Sequence, residues 1–142
     1  MNDQALRLEN QLSFPLYAAA KAVTNSYKPF LESINLTYTQ YIVMLVLWER
    51  QGITVKDLGA RLYLDSGTLT PLLKRLEAKG YIQRKRSLAD ERVVEIVLSS
   101  SGEALREKAR AIPQQIARCL PLTADEASML YRLLYKILEE SC

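Results

Sequence analysis

Hydrophobic positions along the chain recur mostly every three or four residues, the spacing of one face of an α-helix. The clearest case lies in residues 62–80, where one apolar stripe is formed by Leu69, Leu72, Leu73 and Leu76. Gly80 supplies a helix stop, and two β-rich runs follow, YIQRKR and RVVEIVLS, separated by the charged segment SLADE. An amphipathic helix followed by a basic hairpin predicts a winged helix-turn-helix, which is a DNA-reading architecture.

The N-terminal third is predicted to be helical. Residues 5–34 carry an apolar side chain at every third or fourth position and predict one long amphipathic helix. Pro15 is expected to bend this helix, and Pro29 is expected to kink or end it. Residues 39–50 are apolar almost all round and predict a buried helix, ended by Gly52.

A helix-turn-helix is predicted next. Thr54 caps its first helix, with Asp57 at the capping-box position, and either Asp65 or Ser66 caps its second helix. Pro71 falls inside the second helix and is expected only within its first turns, where the amide donors lack partners anyway.

Two further helices are predicted at the C-terminal end. The first opens at Ser100 with a capping box and runs to about Leu120, with a bend at Pro113. Thr123 caps the second helix, whose apolar residues are Leu130, Leu133, Leu134, Ile137 and Leu138.

These elements predict a mainly α fold with a small β-hairpin wing, organised as a single domain over residues 1–142. Residues 36–99, approximately, form the winged-helix body, and residues 1–35 and 100–142 form helices with more apolar surface than that body covers. A two-fold homodimer that interlocks these helices buries the surface. It also presents two identical DNA-binding surfaces to a pseudo-palindromic operator in double-stranded DNA. A monomer with a helical cap is the alternative.

Composition limits the function further. A net charge of +3 permits nucleic-acid binding without requiring it. The chain has no histidine, which removes the commonest general base and metal ligand, so we expect no enzyme activity, metal site or cofactor. There is no signal-peptide pattern and no apolar run that could span a bilayer, so a cytoplasmic protein without a membrane partner is expected. Cys119 and Cys142 alone make no disulfide framework.

Candidate DNA contacts lie at the start of the second helix of the helix-turn-helix and on the wing. Short hydroxyl side chains near that helix N-terminus can reach base edges or phosphates, and these are Ser66, Thr68 and Thr70. Lys74 and Arg75 lie further along and are expected to contact phosphate or guanine. Lys85 and Arg86 are expected to act on the DNA backbone through charge alone.

The run LDSGTLTPLLKRLE, with DER in the following loop, resembles the MarR family of bacterial regulators, and the likeness extends over nearly the whole chain. In that family a wing arginine enters the minor groove and is held by a neighbouring aspartate. Arg92 and Asp90 stand at the matching positions. An arginine in a narrow minor groove reads DNA shape more than base sequence. The resemblance therefore implies a homodimeric transcriptional regulator, expected to be a repressor.

The likeness is closer to the two-cysteine, organic-hydroperoxide-sensing (OhrR-like) branch. Where that branch has LENQLCF, with a reactive cysteine in sixth place, this chain reads LENQLSF and has Ser13. The resemblance implies that Tyr27, in SYKP, and Tyr38, in LTYTQY, hydrogen-bond the cysteine sulfur, and that Cys119 is the resolving thiol on the partner subunit. Phenol donors favour a thiolate, which a peroxide converts to a sulfenic acid that condenses with a second thiol.

Serine cannot perform this chemistry, because its hydroxyl does not ionise at neutral pH without a strong base. Three interpretations of Ser13 are open. It is an engineered stand-in that mimics the reduced, DNA-binding form; the natural protein has a different trigger; or Cys119 or Cys142 senses alone. The alternative functions are a MarR-type repressor released by a small phenolic or lipophilic ligand, a thiol-based redox enzyme, and a winged helix that binds protein. The enzyme is disfavoured because the chain has neither histidine nor a CxxC motif.

Overall fold

The computed structural model describes residues 3–141, so Cys142 lies outside the described residues. The chain divides into two compact units, residues 1–112 and 113–142. Most of the chain is helical, and a small antiparallel sheet of three strands lies in the first unit. The predicted mainly α fold with a β-hairpin wing is therefore confirmed.

The first unit begins with two short 3-10 helices and contains all three strands. Its elements are, in order, the 3-10 helices Asp3–Leu6 and Leu8–Asn10, α1 (Ser13–Ser26), α2 (Lys28–Glu32), α3 (Tyr38–Glu49), β1 (Ile53–Thr54), α4 (Val55–Leu62), α5 (Ser66–Ala78), β2 (Ile82–Arg86), β3 (Val94–Leu98) and α6 (Ser100–Ala109). Helix α7 (Ile112–Cys119) crosses the boundary between the units, and α8 (Ala124–Glu140) belongs to the second unit.

The long helix predicted for residues 5–34 is wrong. Helix α1 begins only at Ser13, and the helical conformation is interrupted at Tyr27 before α2 begins. Pro15 does not bend a helix, because it lies in the first turn of α1, where an amide donor would have no intrahelical partner. Pro29 occupies the first turn of α2 for the same reason, so the chain starts a new helix there.

Helices α4 and α5 form the predicted helix-turn-helix. Asp65 rather than Ser66 caps α5, because its carboxylate accepts the Thr68 amide at 2.7 Å. The turn before it passes through Tyr63, whose φ of 56° is left-handed. Pro71 lies in the second turn of α5, deeper than expected, and the helix continues to Ala78. The carbonyl that loses its partner belongs to the exposed Gly67, so water can satisfy it.

The sheet has the strand order β1-β3-β2 and is antiparallel throughout. The predicted hairpin is β2 and β3, in which Lys85 faces Glu95. The third strand, β1, was not predicted, since it has two residues and forms by pairing Ile53 with Ile96. Below the sheet, the whole predicted apolar stripe of α5 is buried, together with most of the apolar residues of α3.

Helix α6 packs closely on the start of β2. A Cβ atom placed on Gly102 would lie 2.1 Å from the Tyr81 carbonyl oxygen, so a side chain at this position has no room. The Trp48 indole donates a hydrogen bond to the Gly102 carbonyl at 3.0 Å. The cap of α6 is Ser99, whose hydroxyl accepts the Gly102 amide, and not Ser100 as predicted.

The single helix predicted from Ser100 to about Leu120 is also wrong, because α6 ends at Ala109 and α7 starts at Ile112. Pro113 lies in the first turn of α7 rather than at a bend. In the second unit, Thr123 and Glu126 form the predicted capping box of α8. None of the 17 residues of α8, all of which the structure describes, is buried.

Candidate nucleic-acid interface and tyrosine cluster

The N-terminal turn of α5 presents short polar side chains to solvent. Ser66 and Thr68 are exposed, and Thr70 is half-buried. Asp65 fixes this turn, and the backbone hydrogen bond from Thr68 holds the pKa of its carboxyl below the usual value. The hydroxyl residues predicted from the sequence therefore lie together at one accessible helix end.

Lys74 and Arg75 follow one turn later on the side of α5 away from the core. Both side chains are exposed, while Leu72, Leu73 and Leu76 beside them are buried. This alternation follows from the helical period, which places the apolar stripe inward and the basic residues outward. Helix α5 thus carries polar and basic groups along one exposed side.

Arg92 lies on the wing, in the loop that connects β2 and β3. The Asp90 carboxylate accepts the Arg92 backbone amide at 3.0 Å and its Nε at 3.2 Å, while 91% of the Arg92 side chain stays exposed. These hydrogen bonds lower the pKa of Asp90, the side-chain bond from Arg92 being the main cause. The aspartate therefore orients the arginine without covering it.

Two other wing arginines have structural partners. Arg86, which was predicted to act on DNA only through its charge, is exposed and donates from Nη1 to the Glu91 carbonyl at 2.8 Å. Arg84 donates to Glu77 from its backbone amide, Nε and Nη2, and this pairing lowers the pKa of Glu77. Since Glu77 lies near the end of α5 and Arg84 in β2, the pair ties the helix to the wing.

A groove of about 590 Å³ lies between α4, α5 and the wing. Its lining includes the predicted contacts Thr70 and Arg92, and also Lys56 at the start of α4. The sequence interpretation did not single out Lys56, although a lysine in the first turn of a helix-turn-helix helix was visible there. The structure therefore brings one predicted α5 residue and the predicted wing arginine to the same groove.

A second cluster consists of three tyrosines, of which two were predicted. The Tyr27 and Tyr38 ring centroids are 4.9 Å apart, and Tyr41 lies 5.6 Å from Tyr27 and 6.4 Å from Tyr38. Burial raises the pKa of all three phenols, that of Tyr41 to about 12. At neutral pH these side chains are therefore neutral hydroxyls that can donate a hydrogen bond. Tyr41, which was missed, follows Tyr38 by three residues on the same face of α3.

Ser13 lies apart from the tyrosines of its own chain. It is the exposed first residue of the 14-residue α1, whereas Tyr27 follows the last residue of that helix. At about 1.5 Å per residue, roughly 21 Å of helix separate the two. Within residues 3–141, no hydrogen bond joins Ser13 to Tyr27 or Tyr38. Cys119 is exposed at the end of α7, in the other compact unit.

Two structural features are absent from residues 3–141, a metal-ligand cluster and a membrane-spanning helix. No group of three or more acidic or cysteine side chains there is arranged to hold a metal ion. None of the helices in residues 3–141 combines the length and apolar character needed to cross a membrane.

Comparison with known proteins gives a consistent result. Residues 25–110 match the family described as "Transcriptional regulator SarA/Rot". The chain is 49% identical to the organic hydroperoxide resistance transcriptional regulator of Bacillus subtilis over 94% of this chain and 91% of that protein. Among solved structures, overoxidized AbfR bound to DNA, a Staphylococcus epidermidis protein, has a TM-score of 0.80 at 36% identity and full coverage of both chains. Mutant Escherichia coli MarR complexed with operator DNA has a TM-score of 0.82 at 28% identity, covering 89% of this chain and 93% of that one.

Proposed function

The chain belongs to the SarA/Rot family of transcriptional regulators, and from this premise we propose that it is a homodimeric, DNA-binding repressor with a MarR-type winged helix. It binds a pseudo-palindromic operator and acts in the cytoplasm. It does not act as an enzyme. Its input is oxidation by an organic hydroperoxide in a form that carries cysteine at position 13. The name of the Bacillus subtilis relative supports this input.

The observation that carries the DNA-binding role is the arrangement of α5 and the wing. Helix α5 presents polar and basic side chains outward, and Arg92 extends from the wing with 91% of its side chain exposed. Ser66, Thr68 and Thr70 read base edges or phosphates in the major groove, and Arg92 enters the minor groove. Lys74 and Arg75 contact phosphate or guanine, Arg86 acts on the DNA backbone through its charge, and Asp90 orients Arg92.

Exposed apolar residues support the dimer. Leu12, Phe14 and Leu16 of the N-terminal region are exposed, as are Leu130, Leu133 and Ile137 of α8. Exposed apolar side chains grouped within one segment, as in each of these two, mark interfaces in soluble proteins. The single 1–142 domain, with dimerisation helices at both ends, is part of this proposal.

The length of α1 supports a sensor site composed of residues from both subunits. Because about 21 Å of helix separate residue 13 from Tyr27 in one chain, a sulfur at position 13 meets the phenols of the partner subunit. Tyr27 and Tyr38 donate hydrogen bonds to that sulfur and favour the thiolate. The thiolate attacks the peroxide, an alcohol leaves, and the sulfenic acid condenses with Cys119 to give a disulfide and water.

The chain as written cannot respond in this way, because Ser13 offers a hydroxyl in place of a thiol. It therefore represents a protein held in the DNA-binding state. A small-ligand trigger and a redox enzyme, the alternatives raised by the sequence, have less support, since the relatives are named as regulators and one of them as an organic hydroperoxide resistance regulator.

The test is operator selection. Duplexes enriched from a random pool by the full-length protein are expected to share a pseudo-palindrome with half-sites about one helical turn apart. Binding is expected to weaken steeply as salt rises, because phosphate contacts release counterions. Equal binding to enriched and shuffled duplexes would contradict the proposal.

A further inference from the structure

We propose that Lys79 is a positioning residue for DNA reading, which fixes the C-terminal end of α5 to the loop in front of α3. The inference rests on the proposed function, because it assumes that α5 is the reading helix. Lys79 is not one of the predicted DNA contacts, and it lies at the end of α5 opposite to the hydroxyl residues.

The contact is made by one ammonium group and two oxygens. The Lys79 Nζ donates to the Asn35 carbonyl at 2.7 Å and to the Gln40 Oε1 at 2.8 Å. Lys79 is the C-cap residue of α5, and its partners lie 44 and 39 residues earlier in the chain. The lysine therefore joins two elements that the local sequence does not connect.

One of the two acceptors, Gln40, is buried and held by a second hydrogen bond. Gln40 is only 4% exposed, and its Oε1 also accepts the Thr37 amide at 3.1 Å as part of the α3 capping box. Burial of the ammonium lowers the pKa of Lys79, as expected for a charge that has exchanged water for protein oxygens. A charge-assisted bond to a buried acceptor is among the stronger polar contacts in proteins.

The contact lies at the end of α5 opposite to its DNA-facing end, so a small tilt of the helix there displaces the DNA-facing residues. The 13-residue helix is about 20 Å long, so a tilt of about five degrees at its C-terminal end moves the other end by roughly 1.7 Å. A displacement of that size breaks hydrogen bonds to base edges. The Glu77–Arg84 pair holds the same end of α5 to the sheet, and Lys79 holds it to the α3 side.

The same contact reaches the tyrosine cluster. Gln40 lies between Tyr38 and Tyr41 on the first turn of α3, and the Thr37 amide that it accepts belongs to the cap directly before Tyr38. Through Lys79, the C-terminal end of α5 therefore contacts the first turn of α3. That turn carries Tyr38 and Tyr41, two of the three tyrosines in the cluster.

Salt dependence separates positioning from direct phosphate binding. A lysine that contacts phosphate contributes about 0.9 to the slope of log affinity against log salt, and its removal lowers that slope. A positioning lysine contributes affinity for the selected sequence and leaves the slope unchanged. The matched comparisons are Lys74→Met, which removes a proposed phosphate contact, and Lys108→Met, on the exposed side of α6.

The experiment uses the full-length protein, a fluorescent duplex that it selects from a random pool, and a shuffled duplex of equal length. Lys79→Met keeps the aliphatic stem and is expected to weaken binding to the selected duplex about tenfold, the scale of one charge-assisted hydrogen bond. Its salt slope and its binding to the shuffled duplex are expected to stay unchanged. Gln40→Met removes one acceptor from the other side and is expected to act in the same direction. Because Gln40 also accepts the Thr37 amide, the double variant is expected to bind more weakly than Lys79→Met, with the two losses less than additive.

Lys79→Arg keeps a donor for both oxygens and is expected to recover most of the affinity. Thermal melts verify that each variant is folded at the assay temperature. If Lys79→Met is unfolded there, the affinity and salt slope of Gln40→Met test the proposal in its place. A reduced salt slope in Lys79→Met, equal to that of Lys74→Met, would make Lys79 a phosphate contact and overturn the proposal. Unchanged affinity in Lys79→Met would do the same. Failure of the unsubstituted protein to distinguish the two duplexes would instead remove the DNA-reading function itself.

Discussion

Asp90 holds Arg92 at the wing by accepting its amide at 3.0 Å, its Nε at 3.2 Å and its Nη2 at 3.3 Å. We predict that Arg92→Ala weakens operator binding by about 1–3 kcal/mol, the scale of a good base contact. Lys85→Ala is expected to weaken it less, because Lys85 lies within strand β2 whereas Arg92 lies at the wing tip. Fluorescence-anisotropy titrations at one salt concentration measure both, and equal losses would contradict the wing assignment.

The proposed sensor site predicts how the protein responds when a thiol is introduced at position 13. Ser13→Cys is expected to release DNA on treatment with an organic hydroperoxide and to form a disulfide with Cys119 of the partner, visible on non-reducing gels. The Ser13 protein is the control and is expected to stay bound. A response of the Ser13 protein, with none from Ser13→Cys, would move the sensor to Cys119 or Cys142.

The phenols themselves can be tested in the same background. Adding Tyr27→Phe or Tyr38→Phe removes a hydrogen-bond donor from the thiolate, so the thiol pKa rises and oxidation at neutral pH slows. Stopped-flow oxidation rates measured across pH report this shift. DNA binding of the reduced variants is expected to persist, and its loss would show that the tyrosines serve the fold rather than the sensor.

The dimer predicts that α8 cannot be removed. Truncation after Leu120 is expected to yield an insoluble or unfolded chain, because the exposed apolar residues of the N-terminal region lose their partner surface. Leu133→Glu tests the same surface with one residue and is expected to dissociate the dimer, whereas Lys136→Glu on the polar side is not. Sedimentation velocity measures each variant, and a stable monomeric truncation product would show that these helices form no interface.

The contact of Gly102 with Tyr81 predicts a large loss of stability. Gly102→Ala places a methyl group 2.1 Å from a backbone oxygen and is expected to cost about 3 kcal/mol, at the upper end for overpacking. Gly67→Ala is the matched control, since its Cβ would meet only the Asp65 Oδ1 at 3.4 Å. Urea denaturation is expected to show a neutral or small stabilising effect there. Similar losses in both variants would contradict the packing argument.

The cap of α5 predicts a pH effect. The pKa of Asp65 is lower in the folded protein than its ordinary value, first because of the Thr68 backbone hydrogen bond. Its contribution is therefore present above the unfolded-state pKa of about 4 and lost as pH falls through the folded value. Asp65→Asn accepts the same bond without titrating. The gap in melting temperature between the two proteins is expected to narrow on acidification below about pH 4, and a constant gap would contradict the capping role.

Helical periodicity and capping residues in the sequence correctly predicted the elements that depend on neighbouring residues alone. The α5 stripe of Leu69 to Leu76, the stop at Gly80 and the cap at Thr123 were all confirmed, because period and capping act within a few residues. The breaks at Tyr27 and Arg110 were missed, since an apolar stripe continues across an interruption of one or two residues. Prolines in first turns were therefore taken for bends inside longer helices.

Contacts between distant segments had no local signal. Strand β1 exists because Ile53 pairs with Ile96, and Lys79 meets Gln40 across 39 residues. Tyr41 likewise packs near the Tyr27 ring, which lies in an earlier segment, with the ring centroids 5.6 Å apart. The proximity of Asp90 and Arg92 was expected from the family likeness, and the structure adds how exposed the arginine remains. The functional roles of these residues stay predictions.

The exposure of α8 has a kinetic consequence. In the proposed dimer, a helix with none of its 17 residues buried gains its packing only when a second chain arrives, so the last step of folding is expected to be second order in protein concentration. Dilution slows that step, whereas it does not slow the earlier steps that take place within one chain. A newly made chain therefore matures at a rate set by its encounters with copies of itself, and a cell that makes little of it acquires active repressor later than synthesis alone implies.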